Sequence, residues 1–162
     1  MKKYILLWVL ISSFSFAQTN EITISELINL GYEKKVSTKN SLGIKLGTGL
    51  IKNKKFEDIT RFHSKVFWKY FFLKKQDFNK LYGEISFVYN TIENFPFPPE
   101  SNQSHKVGQY NEGGPALGLG YKFLIKKKIV LDIDFGLGLD VIQPNKILPI
   151  FGDGGIAIGY RF

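Results

Sequence analysis

The sequence predicts an all-β protein, an eight-stranded antiparallel up-and-down transmembrane β-barrel whose first strand is short. Three observations predict it. Apolar residues recur with a period of two along most of the chain, as they do in strands with different surroundings on their two faces. The alternating segments run about ten residues, the length a tilted strand needs to cross a bilayer. The connections between them alternate between short and long, as in outer-membrane barrels.

Residues 1–17 read as a secretory signal peptide, leaving 18–162 as the barrel. Lys2 and Lys3 form a positive start, Tyr4 to Phe16 is an apolar stretch, and Ser15-Phe16-Ala17 offers small residues for cleavage before Gln18. Removing Lys2 and Lys3, with no acid lost, takes the net charge from +8 to +6. No later run is long and apolar enough for a spanning helix; Val66 to Phe72 is the densest, and Lys69 interrupts it.

The segment 28–36 sets Ile28, Leu30, Tyr32 and Val36 against Asn29, Gly31, Glu33 and Lys35. In 42–50, Leu42, Ile44, Leu46, Thr48 and Leu50 alternate with Gly43, Lys45, Gly47 and Gly49. In 62–72, Val66, Trp68, Tyr70 and Phe72 share one face; His63, Lys65, Phe67, Lys69 and Phe71 share the other. In 81–90, Leu81, Ile85, Phe87 and Tyr89 oppose Tyr82, Glu84, Ser86, Val88 and Asn90. Residues 116–125 place Leu117, Leu119, Tyr121, Phe123 and Ile125 against Ala116, Gly118, Gly120, Lys122 and Leu124. The strictest case is 130–141, where Leu131, Ile133, Phe135, Leu137, Leu139 and Val141 alternate with Asp132, Asp134, Gly136, Gly138 and Asp140. The last segment, 155–162, alternates Ile156, Ile158, Tyr160 and Phe162 with Gly155, Ala157, Gly159 and Arg161.

Residues 37–40, 73–80 and 126–128 are the short connections, and 52–61, 91–112 and 142–153 the long ones. With the C-terminus in the periplasm, the short turns lie on that side and the long loops outside. Tracing back, 28–36 runs inward and would begin outside. Closure therefore needs one more strand, and Thr19 to Ser25, where Ile22 and Ile24 flank Thr23, is the sequence left for it.

A soluble sandwich would use the same apolar faces as its core. Three features favour the barrel. Glycine recurs on the polar faces, where a solvated strand gains nothing from it but a narrow lumen gains space. Tyr32, Trp68, Tyr70, Phe72, Tyr121, Phe123, Tyr160 and Phe162 all map to the periplasmic side, as a belt at a membrane interface. The polar faces also balance in charge: Lys45, Lys65, Lys69, Lys122 and Arg161 against Glu33, Glu84, Asp132, Asp134 and Asp140. Buried charges need such partners. These ten residues form an expected lumen charge network.

The ending GGIAIGYRF, with Tyr160 and the terminal Phe162, resembles the signal by which outer-membrane barrels are recognised by the barrel assembly machinery. Together with INLGYEKKV and LGLGYKFLIKKKIVLDIDFGLGLD, it resembles a family of small outer-membrane β-barrels of unknown function, of the OmpA or OmpX kind and the Bacteroidota type. That resemblance implies a location in the outer membrane and supplies no activity.

No motif rises to a catalytic site. The chain has no cysteine, which removes disulfides, thiolate metal sites and thiol chemistry. His63 and Asp140 map to the inner face near the outer rim and would make an acid/base pair, but Ser64 points to lipid and supplies no nucleophile. His105, with Glu100 and Glu112, is too sparse for a metal. The GDGG of 152–155 reads as a turn, not a calcium loop, and GTGLIKNKK at 47–55 is no phosphate loop. No cofactor is expected. The excess lysines, at Lys74, Lys75, Lys80, Lys126, Lys127 and Lys128, fall in periplasmic turns and suit anionic lipid headgroups rather than nucleic acid. Phe56, Phe95, Phe97 and Phe151 fall in the outer loops. The expected role is a monomeric structural or surface-interaction barrel with its lumen filled by side chains, its partners being outer-membrane lipids and the assembly machinery. The alternative is a small outward-facing pocket lined by Gly47, Gly49, Gly118, Gly136 and Gly138.

Overall fold

The computed structural model describes residues 20–25, 29–48, 58–72, 80–94, 108–143 and 149–162. They form β1 (Asn20–Ser25), β2 (Asn29–Lys35), β3 (Asn40–Gly47), β4 (Asp58–Phe71), β5 (Lys80–Asn94), β6 (Gly108–Ile125), β7 (Ile129–Leu139) and β8 (Ile150–Arg161). Each strand pairs antiparallel with its neighbour in sequence, and β1 pairs with β8 to close the barrel. The short first strand is present, with Ile22 opposite Tyr32 on one side and Tyr160 on the other.

The ring is inside-out relative to a soluble protein. Strict alternation turns Leu117 (68 % exposed), Phe135 (67 %), Leu137 and Ile158 outward. The same alternation buries Glu33, Lys65, Lys69, Glu84, Lys122, Asp132 and Arg161 inside. A register slip by one residue in any strand would exchange the two sets.

One end of the ring holds Asn20, Phe162 and the connections at 36–39 and 126–128. Asn20 and Phe162 exchange backbone hydrogen bonds there, N to O at 3.3 Å and 3.0 Å. The β6–β7 hairpin turns on Lys126 (φ 51°) and Lys127 (φ 62°), with Lys128 N–H donating to Ile125 O at 3.1 Å. Both residues take the left-handed conformation, uncommon for a residue with a Cβ, inside a three-residue connection that pairs Ile125 with Ile129. The aromatic belt rings this end: Tyr70 meets Phe72 at 5.7 Å between centroids, and Tyr121 meets Phe123 at 4.5 Å.

The other end is uneven. β1 to β3 have six, seven and eight residues, whereas β4, β5 and β6 have 14, 15 and 18. At a strand's rise, β6 is about 60 Å long against about 20 Å for β1. Three expected loop boundaries are corrected accordingly. The expected 91–112 loop loses residues at both ends, because β5 and β6 stay paired out to Asn94 and Gly108. The 52–61 loop loses its last residues to β4, which begins at Asp58 and carries a bulge at Arg61 between Thr60 and Phe62. The 142–153 loop ends early, since β8 begins at Ile150. The GDGG of 152–155 is therefore strand, not turn, paired with Leu137 to Asp134 of β7. Gly154 is required there: a Cβ would stand 2.6 Å from Asp134 O. Phe151 likewise is no loop residue; it lies in β8, buried inside with Val88 and Ala116.

Glycine on the inner face has a specific use. Gly43, Gly120 and Gly138 are paired directly across the ladder with Phe67, Tyr82 and Phe151. In each case the partner's ring lies over the glycine, so close that a Cβ would come within 2.2 to 2.3 Å of it. The rings take the space the missing side chains leave and fill the lumen.

Candidate functional site: the charged lumen

Two ion clusters occupy the interior. The lower one, near the chain ends, is built on Lys69, Lys122 and Arg161. Lys122 Nζ donates to Glu21 Oε2 and Glu33 Oε1, both at 2.7 Å. Arg161 clamps Glu21 Oε1 through Nε at 2.8 Å and Nη2 at 2.5 Å. Lys69 Nζ is 2.5 Å from Asp132 and 3.3 Å from Glu33. Ser41 and Tyr82 hydroxyls donate to Glu33 (2.6 Å) and Asp132 (2.7 Å), so the carboxylates keep few idle lone pairs. Lys69 is also sandwiched by rings, 4.8 Å from the Phe67 centroid and 4.3 Å from that of Tyr82. A desolvated ammonium gains from such faces.

The upper cluster is built on Lys45 and Lys65. Lys65 Nζ reaches Glu84 and Asp153 at 2.6 Å each and Asp134 at 3.4 Å. Lys45 Nζ pairs with Asp134 at 3.0 Å. Glu84 also stands 4.0 Å from Lys69 and joins the two clusters.

The structure thus brings Glu33, Lys45, Lys65, Lys69, Glu84, Lys122, Asp132, Asp134 and Arg161 into contact and treats Asp140 differently. Asp140 is buried just past β7, where its Oδ1 accepts from the backbone N–H groups of Gly113, Ile142 and Gln143. It secures the outer end of β6 and β7. The His63–Asp140 pair weighed from the sequence does not form through Nδ1: that atom lies 2.7 Å from Asn90 Oδ1. Asn90 Nδ2 in turn points to Glu112 Oε1 at 3.4 Å.

Two lumen acids escaped the sequence reading. Glu21 sits on the strand inferred only by parity, and its alternation with Thr23 on the inner face was the available signal. Asp153 was hidden in the apparent turn GDGG; counting back from Arg161 in steps of two, through Gly159, Ala157 and Gly155, lands on it.

At the upper ion cluster, beside the ends of the short strands β1 and β2, a cavity of about 110 Å³ is lined by Asn29, Lys45, His63, Asn90, Asp134 and Asp153 among others. Its lining includes none of Gly47, Gly118, Gly136 or Gly138, the described glycines of the alternative sequence reading. Gly138 is covered by Phe151 and Gly47 by the Asn29 side chain. Gly118 and Gly136 face each other across the β6–β7 ladder. Gly49, Phe56, Phe95, Phe97, Glu100 and His105 lie outside the described residues. Among those described, no three His, Asp or Glu side chains converge as a metal site.

No curated protein matches the chain. Among solved structures, the N-terminal β-barrel domain of Pseudomonas aeruginosa OprF is similar, with a TM-score of 0.59 at 10 % identity over 88 % of this chain and 93 % of that one. At that identity the likeness bears on the fold, a closed eight-stranded barrel. The sequence of residues 5–150 matches the family described as "Protein of unknown function (DUF3575)", and the chain belongs to that family.

Proposed function

We propose that this protein is an outer-membrane barrel that serves as a closed anchor, holding its outer strands and loops at the cell surface without conducting. The observation that carries this reading is the filled lower lumen. Lys69, Lys122, Tyr82, Val130 and Ser41 are fully buried there, each charge held by at least one opposite charge. An eight-stranded interior is just wide enough for side chains, and these complete the packing. The apolar outer surface, the aromatic belt at the turn end and the exposed lysines of the 126–128 turn support a bilayer around the ring. The belt end faces the periplasm, and Tyr160 and Phe162 on the closing strand are the residues offered to the assembly machinery. The barrel acts as a monomer.

Planar-bilayer recording of the refolded protein tests the anchor. The expected result is no resolved single-channel step. Steady conductance steps, enlarged by Tyr82→Ala, would show that the lower lumen is a gate rather than a plug.

A further inference from the structure

We propose, resting on the bilayer placement above, that the outer groove over Gly83 binds an anionic phospholipid of the periplasmic leaflet, one acyl chain lying in the groove and the phosphate at Lys39 and Tyr70. Three observations converge on it.

The first is the shape of the outer face. Gly83 of β5 stands between Leu81 and Ile85 on the lipid side, paired with Tyr70 of β4 and Leu119 of β6. The glycines at 43, 120 and 138 make room for rings that fill the lumen; Gly83 does not. A Cβ there would meet only the Phe72 ring, 3.2 Å away. A groove of about 760 Å³ lies over it, with Tyr70 and Phe72 on one bank and Leu119 and Phe135 on the other. That is the size of a small-molecule site. Glycine inside a strand weakens it and often marks a place where a ligand approaches the backbone.

The second is the course of the groove. Tyr70 and Phe72 stand at the turn end of β4, in the aromatic belt. Phe135 is paired in the same row but lies six residues along β7 from Ile129, about 20 Å of strand. The groove therefore runs obliquely from the membrane interface into the apolar wall, the path of an acyl chain hung from a headgroup at the belt.

The third is charge at the belt end. Lys39 Nζ donates to the Tyr70 hydroxyl at 3.3 Å and lies 5.6 Å from the centroid of its ring. The ammonium has two more N–H donors and the hydroxyl has its own, and a phosphate oxygen accepts strongly from an ionised donor. Lys34, Lys126, Lys127 and Lys128 are also exposed at this end, where among the described residues no carboxylate is exposed. A second copy of the chain seated on this face would bring the same lysines to the contact, whereas a phosphate complements them.

The test uses the full chain carrying Trp8→Phe, which leaves Trp68, in the groove lining, as its one tryptophan. The protein is refolded into phosphatidylcholine vesicles in physiological salt. Brominated phosphatidylglycerol or brominated phosphatidylcholine is added in rising proportion, and quenching of Trp68 is read. Half-maximal quenching is expected at an about fivefold lower proportion of phosphatidylglycerol, the factor that one lysine near an anionic headgroup supplies. Lys39→Gln should abolish that preference, and Lys127→Gln, three strands away, should keep it. Gly83→Leu fills the groove and should bring phosphatidylglycerol down to the phosphatidylcholine level. The migration shift between unboiled and boiled samples checks folding; if Gly83→Leu does not fold, the two lysine variants decide. Equal quenching by the two lipids in an inserted barrel, or the same loss in Lys127→Gln as in Lys39→Gln, overturns the groove site and leaves the bilayer placement standing. Weak quenching by both lipids with cross-linked dimers gives the groove to a second copy and overturns it too. A folded chain that does not float with the vesicles overturns both.

Discussion

Replacing Lys69 with Met isolates one central electrostatic contribution to the plug. Lys69 is 0 % exposed and its Nζ lies 2.5, 3.3 and 4.0 Å from Asp132, Glu33 and Glu84. Methionine keeps most of the stem that lies between Phe67 and Tyr82 but removes the charge. Taking one partner from a buried ion pair costs about 3–5 kcal/mol, because the other charge is left uncompensated. Here the carboxylates retain some support. Lys122 is 2.7 Å from Glu33 and 4.0 Å from Asp132, and the Tyr82 hydroxyl still donates to Asp132. The loss should fall at the low end of that range, about 3 kcal/mol, or roughly a hundredfold in the folding equilibrium. Equilibrium urea unfolding in lipid vesicles, followed by tryptophan fluorescence and by the gel migration shift, measures it. The double variant Lys69→Met/Asp132→Asn removes both charges and should recover at least about 1 kcal/mol of the loss. A single-variant loss under about 1 kcal/mol, or a double variant less stable than the sum of the singles, would mean that the lumen is wet enough to solvate its own charges and that the plug reasoning is wrong.

Other consequences are as definite. Phe135→Arg, midway along β7 and facing outward, should destabilise the vesicle-inserted barrel by about 2–4 kcal/mol; no change would refute a bilayer around the ring. Gly138→Val drives a side chain into the Phe151 ring, 2.2 Å from where its Cβ would stand, and overpacking of this kind costs about 1–3 kcal/mol in the urea midpoint. Lys127→Gly relieves a left-handed residue and should stabilise by about 1 kcal/mol, while Lys127→Ala, which keeps the Cβ, should not.

The fold was legible because the chain has two surroundings and its alternation records both. Where that contrast is strong, as in 130–139, the strand and its faces follow directly from the letters. It fades where small or polar residues replace large apolar ones. Gly113, Gly114 and Pro115 look like loop sequence, yet within β6 they pair with Tyr89, Val88 and Phe87 of β5. Asp153 sits among glycines whose job is to let β8 lie close to β7, so composition suggested a turn where geometry required a strand. The cavity was not legible at all. It depends on which inner faces are covered by rings from the adjacent strand and which are not, and that is a matter of rotamers rather than of periodicity.

The seam between β1 and β8 carries a consequence for how the molecule is made. The other seven pairings join sequence neighbours and can form hairpin by hairpin, whereas Arg161 and Glu21 meet across 140 positions. Closing so long a loop before the intervening strands have paired would cost about 4 kcal/mol in chain entropy, and five ladder pairs with one forked ion pair are what the seam supplies in return. The ring should therefore shut last. Until it does, the chain is an eight-stranded sheet with two bare edges, each able to pair with another chain. Glu21 and Arg161 act as a latch on that sheet: by demanding one register they select the self-closing partner over a foreign edge, and a barrel lacking either would fold at a rate set by how long its edges stay open.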